Sequence, residues 1–346
     1  MFDFFKKNKE YVSCEDFQGG IHFDYSGLFY CATYSHSHEN NKCITPIVGD
    51  LNKNYKMLIE TKKQDKKSFE KVIVIPRCKD CFQLKKKQWK KNQKINRVAI
   101  SANKKCNSNC IYCTTHCNKA YLNTLPDIPI YNFIKKLIDD KHIDDDCVIQ
   151  FGGGEPTLHF EFEKIVDLFL EKLEPMLRIY SSGIKFSSHI EKAIKLGRCT
   201  LIISLDSGNP NLYKKIKNVD EFSTVVNNVA KYCKAQDELP ERKYVILKYI
   251  LIPGVNDKEE YIYEFLSVAK QINCQEVRCD LEQEWYKRNK NNFDLVSPLF
   301  YIMKYFDLQA KKMGLVHFFN VVPFRLIEMY TEKVYESIQI DENLIK

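Results

Sequence analysis

From about residue 95 onward the chain alternates short apolar runs with amphipathic stretches. The runs at 97–102, 147–151, 177–181, 201–205, 244–251 and 276–280 predict buried strands. Between them, apolar residues recur at helical spacing over 130–138, 160–173, 189–196, 221–233 and 259–272. Six strand–helix units of roughly thirty residues each fit this interval. Parallel strands need a crossover segment, so the alternation predicts an α/β fold with a parallel sheet. Periodicity alone does not separate an open sheet from a barrel.

The pattern changes after about 290. Residues 298–313 and 324–337 read as helices, joined by a strand or loop over 314–323, and they are expected to cover the open edge of the sheet. Three regions follow: 1–94, rich in cysteine and lysine; 95–290, the repeating core; and 291–346, a helical extension.

In parallel α/β architectures the chemistry sits where strands run out into loops at their C-terminal ends. The polar and glycine-bearing stretches fall at those points. CNSNCIYC (106–113) follows the first predicted strand and GGGEP (152–156) the second. YSSG (180–183), SLDSG (204–208) and IPGVND (252–257) close the third, fourth and fifth. Packing alone does not require polar groups at one rim.

The chain has 14 cysteines, and its first residues, MFDFFKKNKE, lack the apolar stretch of a signal peptide. A disulfide framework is therefore not expected, and a cytoplasmic protein with some cysteines on metal is. Cys147, Cys199 and Cys233 lie in apolar patterns and read as core. Cys106, Cys110 and Cys113 stand too close together to be incidental. Three thiolates can hold one face of an iron–sulfur cube. A zinc site completed by His116 or Cys117 is the bland alternative.

The spacing C-x3-C-x2-C with Tyr112 before its third cysteine, followed by GGGEP, resembles the radical S-adenosylmethionine (SAM) superfamily. The resemblance implies a partial (β/α)6 barrel and a 4Fe–4S cluster on Cys106, Cys110 and Cys113. SAM would chelate the cluster's free iron, and its reductive cleavage would give a 5′-deoxyadenosyl radical that takes hydrogen from a substrate. An electron donor such as flavodoxin or ferredoxin is implied as partner. By the same resemblance Gly153, Gly154 and Glu155 hold the amino group of SAM. Ser182 and Ser204 face its ribose or carboxylate, and Tyr112 and Ile252 flank the adenine. Asp206 resembles a carboxylate that binds or deprotonates substrate in relatives that oxidise peptide side chains; a helix N-cap is its other reading. The implied substrate is a peptide, a protein or a small molecule, with a carbohydrate pathway as the runner-up.

The N-terminal region, with Cys14, a hairpin-like 21–28, Cys31 and the pair Cys78 and Cys81, resembles a SPASM module placed ahead of the core. That implies a second, auxiliary 4Fe–4S cluster on these four cysteines; zinc on the same four is the alternative, and Cys43 is a spare. Cys274 and Cys279, near the last strand, read either as core or as a hydrogen-donating rim thiol.

Charge changes the picture little. Residues 51–100 carry 16 Lys/Arg against 4 Asp/Glu, densest at KKKQWKK (85–91). This reads as a solvated linker; no nucleic-acid motif accompanies it, so nucleic acid is not an expected partner. A zinc protein gripping RNA is the competing class. No apolar run approaches the ~18 residues that would span a membrane.

Overall fold

The computed structural model describes residues 10–31, 45, 47, 49–71, 84–89, 93–113, 126–240, 244–319, 336 and 338–340. The chain divides into two compact units, 1–104 with 125–177, and 105–124 with 178–346.

The first unit holds a sheet in the order β3-β2-β5-β6. Strands β2 (Gly20–Asp24) and β3 (Gly27–Phe29) form the expected hairpin. That hairpin does not stand apart from the core. Strand β2 runs parallel to β5 (Ile95–Ser101), pairing Ile21 with Val98, and β5 runs parallel to β6 (Ile143–Phe151). Helices α3 (Tyr131–Asp139) and α4 (Phe162–Lys172) bury their apolar stripes in this unit. The Phe23 and Phe133 rings meet edge-on at 5.8 Å.

The described parts of the lysine-rich stretch expected as a linker are a helix and a strand. Its first part is α2 (Leu51–Glu70), preceded by Asp50, whose Oδ1 accepts from the backbone N–H of Asn52 and Lys53. Its later part is β4 (Lys85–Lys87), antiparallel to β1 (Tyr11–Ser13). The short helix α1 (Glu15–Gly19) links β1 to β2. Here capping and edge pairing outweigh a high lysine content.

The second unit holds β7 (Met176–Ser181, from Arg178 on), β8 (Cys199–Ser204), β9 (Val245–Leu251), β10 (Glu276–Leu281) and β11 (Val316–Phe319), in that order. The β8–β9, β9–β10 and β10–β11 pairs are parallel. Around them lie α5 (Ser188–Lys195), α6 (Pro210–Lys217), α7 (Phe222–Ala235), α8 (Glu259–Gln271), α9 (Gln283–Asn289) and α10 (Phe293–Lys312). Tyr249 of β9 packs on Phe265 of α8 and Phe306 of α10 at 4.9 and 5.6 Å, seating both helices on one face.

Two expectations shift, and an alternative is decided. Helix α10 begins before Pro298, which lies inside it. Of the strand or loop expected over 314–323, Val316–Phe319 is a strand paired with β10. Helix α6 has no counterpart in the sequence reading, because it is short. Its ends are nonetheless encoded: Asn209 accepts from the N–H of Asn211 and Leu212, Pro210 opens the first turn, and Asn218 ends it in the left-handed region at φ 55°. Most of the helix expected over 324–337 lies outside the described residues. No helix among the described residues is long and apolar enough to cross a membrane.

Candidate functional site

The glycine loop belongs to the first unit. Strand β6 ends at Phe151, and the N–H of Gly152 donates to Ile100 O at 2.9 Å. Gly153 has φ +88°, and a Cβ there would stand 2.9 Å from Cβ of Ser101. Both facts demand glycine. Gly154 N–H donates to Asn103 O at 3.3 Å, and Asn103 Nδ2 donates to Glu155 O at 3.0 Å. Glu155 is buried, and its Oε1 accepts from the Thr157 N–H at 3.2 Å and the Thr157 hydroxyl at 2.6 Å. The carboxylate is thus fixed at the start of a single 3-10 turn that Pro156 opens. Asn103 is a supporting residue the sequence reading did not find.

The cysteine loop belongs to the second unit. Helix α6 ends with carbonyls that no helical N–H can reach. The cysteine loop supplies them: Asn109 N–H donates to Lys217 O at 2.8 Å and Ile111 N–H to Ile216 O at 3.0 Å. Cys113 N–H closes a turn onto Cys110 O at 3.2 Å. Ser182 donates from its hydroxyl to Asn107 Oδ1 at 2.8 Å, so it tethers this loop. The three thiols are half-buried and unbridged. Among the described residues no three His, Cys, Asp or Glu side chains converge on one ion position. A cubane takes one cysteine per iron and needs no such convergence.

Beneath the loop lies a buried polar group of three. Asp206 is enclosed, with φ +61°. Its Oδ1 accepts from Ile250 N–H at 2.8 Å; its Oδ2 accepts from the Tyr112 hydroxyl at 2.5 Å and pairs with Lys217. Lys217 Nζ also donates to Tyr112 Oη at 2.8 Å. Burial by itself draws the Lys217 pKa down, but Asp206, with the sulfurs of Cys110 and Cys106, outweighs this and holds it above the ordinary value. Burial, then Asp206 and Cys110, push the Tyr112 phenol well above its usual range, so it stays a donor at neutral pH. The N-cap reading of Asp206 is not what is found; Asn209 caps α6. Gly208, in the same SLDSG stretch, lets the chain pass the backbone of Glu264, which a Cβ would meet at 2.1 Å.

Ile252 is buried in an apolar cluster with Leu212, Ile216 and Ile250, and Tyr112 packs against that cluster. Ser204 ends β8 in register with Lys248. Lys248 Nζ pairs with Asp280 Oδ2 at 2.9 Å, and both line a cavity of about 180 Å³ with Tyr112, Cys113, Ile250 and Glu282. Sequence reasoning missed Lys248. Its signal is a lone lysine inside the apolar run VILKYIL of a parallel strand.

Cys274 and Cys279 are core residues: both are buried, and burial drives the Cys279 thiol pKa far up. Cys147, Cys199 and Cys233 are buried as expected. Cys14 caps α1, its sulfur accepting from Phe17 N–H at 3.3 Å, and Cys31 donates to Asp16 in the same helix at 3.7 Å. Cys78 and Cys81, like Cys43, His116 and Cys117, lie outside the described residues.

The family model described as the Radical SAM superfamily matches residues 100–266, a segment that contains both the cysteine loop and the glycine loop. This segment is similar to a radical SAM superfamily domain. An uncharacterized protein of Methanocaldococcus jannaschii is 30% identical over 179 residues, covering 51% of this chain and 52% of its own. The GTP 3′,8-cyclase of Clostridium acetobutylicum is 26% identical over 185 residues, covering 53% and 55%. The chain thus spans about half the length of these curated relatives. Among solved structures, Streptococcus suis SuiB bound to precursor peptide SuiA is similar with a TM-score of 0.52 at 14% identity, covering 89% of this chain and 62% of that one. At that identity the likeness is one of fold, an α/β chain whose core strands run parallel.

Proposed function

We propose that this chain is a radical SAM enzyme, with Cys106, Cys110 and Cys113 as the three protein ligands of a 4Fe–4S cluster. When bound, the cluster and SAM supply a one-electron cleavage of the sulfonium and a radical that removes hydrogen from substrate. The observation that carries the reading is the seating of the cysteine loop on the C-terminal carbonyls of α6, with the Asp206–Lys217–Tyr112 group closed beneath it. The donor set is three thiols on one short turn, which fits a cube better than a tetrahedral ion.

The roles of the chain's own residues follow from their contacts. Lys217 places a fixed positive charge near Cys106 and Cys110. Asp206 holds Lys217 and Tyr112 in place, and with its oxygens so engaged we assign it a positioning role. Ser182 fixes Asn107, and Gly153, Gly154 and Glu155 form a rigid loop suited to an amino group. Ser204, Tyr112 and Ile252 are the further SAM contacts we propose from the family pattern.

The cavity bearing Lys248 and Asp280 has room for one polar side chain, which favours a peptide or protein substrate over a polysaccharide. Cys14 and Cys31, both tied to α1, together with Cys78 and Cys81, are proposed to hold an auxiliary cluster. The test is anaerobic incubation of reduced protein with SAM, reading 5′-deoxyadenosine. Wild type is expected to form it and Cys106→Ala to lose it; full activity in that variant overturns the assignment.

A further inference from the structure

A cavity of about 270 Å³ lies in the first unit, where Gly20, Ile95 and His142 stand at the starts of β2, β5 and β6. Its size falls just below the roughly 300–1,000 Å³ usual for small-molecule pockets. Its walls are mainly apolar, from Ile21, Tyr30, Leu58, Ile59 and Ile95. Lys62 of α2 also lines it, one turn along the helix from Leu58.

The environment of Lys62 lacks something. Its Nζ donates to Gln18 O at 2.8 Å and lies 5.7 Å from the centre of the Tyr30 ring. Both partners are neutral. Among the described residues no carboxylate pairs with it; Lys66 adds repulsion, and the Cys14 sulfur offsets only part of this. Lys94, at the same cavity, brings more positive charge. A partly buried ammonium with no carboxylate partner bears a desolvation cost that an anion would offset. Burial and Lys66 lower its pKa to about 8, which still leaves it mostly protonated at neutral pH.

We propose that this cavity binds a small organic carboxylate, its charge paired by Lys62 and its apolar body packed against Ile21, Tyr30, Leu58 and Ile95. Inorganic phosphate would satisfy the charge and leave the aliphatic walls unfilled. The cavity lining has a single histidine and no carboxylate or thiol, which argues against a metal ion. The inference is independent of the radical chemistry.

The test is titration of the full chain with benzoate and hexanoate, each beside its neutral amide, followed by ligand-observed NMR. Saturable binding of a carboxylate is expected, with the matching amide weaker by about tenfold or more. Lys62→Met should abolish the preference for the acid, and Lys62→Arg should retain it. Ile59→Trp, which fills the cavity and leaves the charge in place, should block binding and decides the matter should Lys62→Met fail to fold. Equal binding of acid and amide, no saturable binding, unchanged affinity in Lys62→Met, or binding of phosphate in place of the carboxylates overturns the proposal.

Discussion

Asp206 and Lys217 form an ion pair with almost no solvent contact, their side chains 0% and 4% exposed. Neither charge has water to fall back on. Lys217→Met is therefore expected to lower stability by about 3–5 kcal/mol, because it strands a buried carboxylate. The double variant Asp206→Asn/Lys217→Met should be more stable than the sum of its singles implies. Urea unfolding of the four proteins checks this. Singles that unfold within ~1 kcal/mol of wild type would show that the pair is not buried as described.

Gly153 and Gly152 are neighbours with opposite requirements. Gly153 combines φ +88° with the nearby Ser101, whereas a Cβ on Gly152 would meet nothing within 4 Å. Gly153→Ala should cost on the order of 1–3 kcal/mol and weaken SAM binding. Gly152→Ala should leave stability unchanged. Thermal unfolding and SAM titration compare them, and equal effects would contradict the account of the loop.

Lys62 predicts a pH dependence of definite sign. Its folded pKa, about 8, lies below the ordinary lysine value of 10.5, so between these the unfolded chain binds more protons. Stability of wild type relative to Lys62→Met should rise as pH increases from about 8 to 10.5 and stay level outside that window. The full change is on the order of 2–3 kcal/mol, reduced by whatever solvent reaches the amine. Denaturant midpoints at pH 7 and pH 10 measure it, and a difference constant with pH would refute it.

The repeating core was readable because each strand is a compact apolar run and each large helix shows its period. Strand β9 was expected over 244–251 and spans Val245–Leu251; α8 was expected over 259–272 and spans Glu259–Gln271. Helix α2 was not readable, since its lysines mask the Tyr55, Leu58, Ile59 and Lys62 face that packs inward. The site was legible where chemistry is local, in CNSNCIYC and GGGEP. Lys217 joins Tyr112 from more than a hundred positions away, and Lys248 joins Asp280 across two paired strands. Such contacts depend on strand register and helix ends, which no short motif records. The one hint was the charge itself, placed where an apolar residue belongs.

The central claim rests on the cysteine loop, and counting iron and acid-labile sulfide after anaerobic reconstitution tests it most directly. Wild type and the triple variant Cys106→Ala/Cys110→Ala/Cys113→Ala should differ by roughly four irons and as many sulfides per chain. An iron content unchanged by the triple substitution, or zinc in place of iron in wild type, would contradict it.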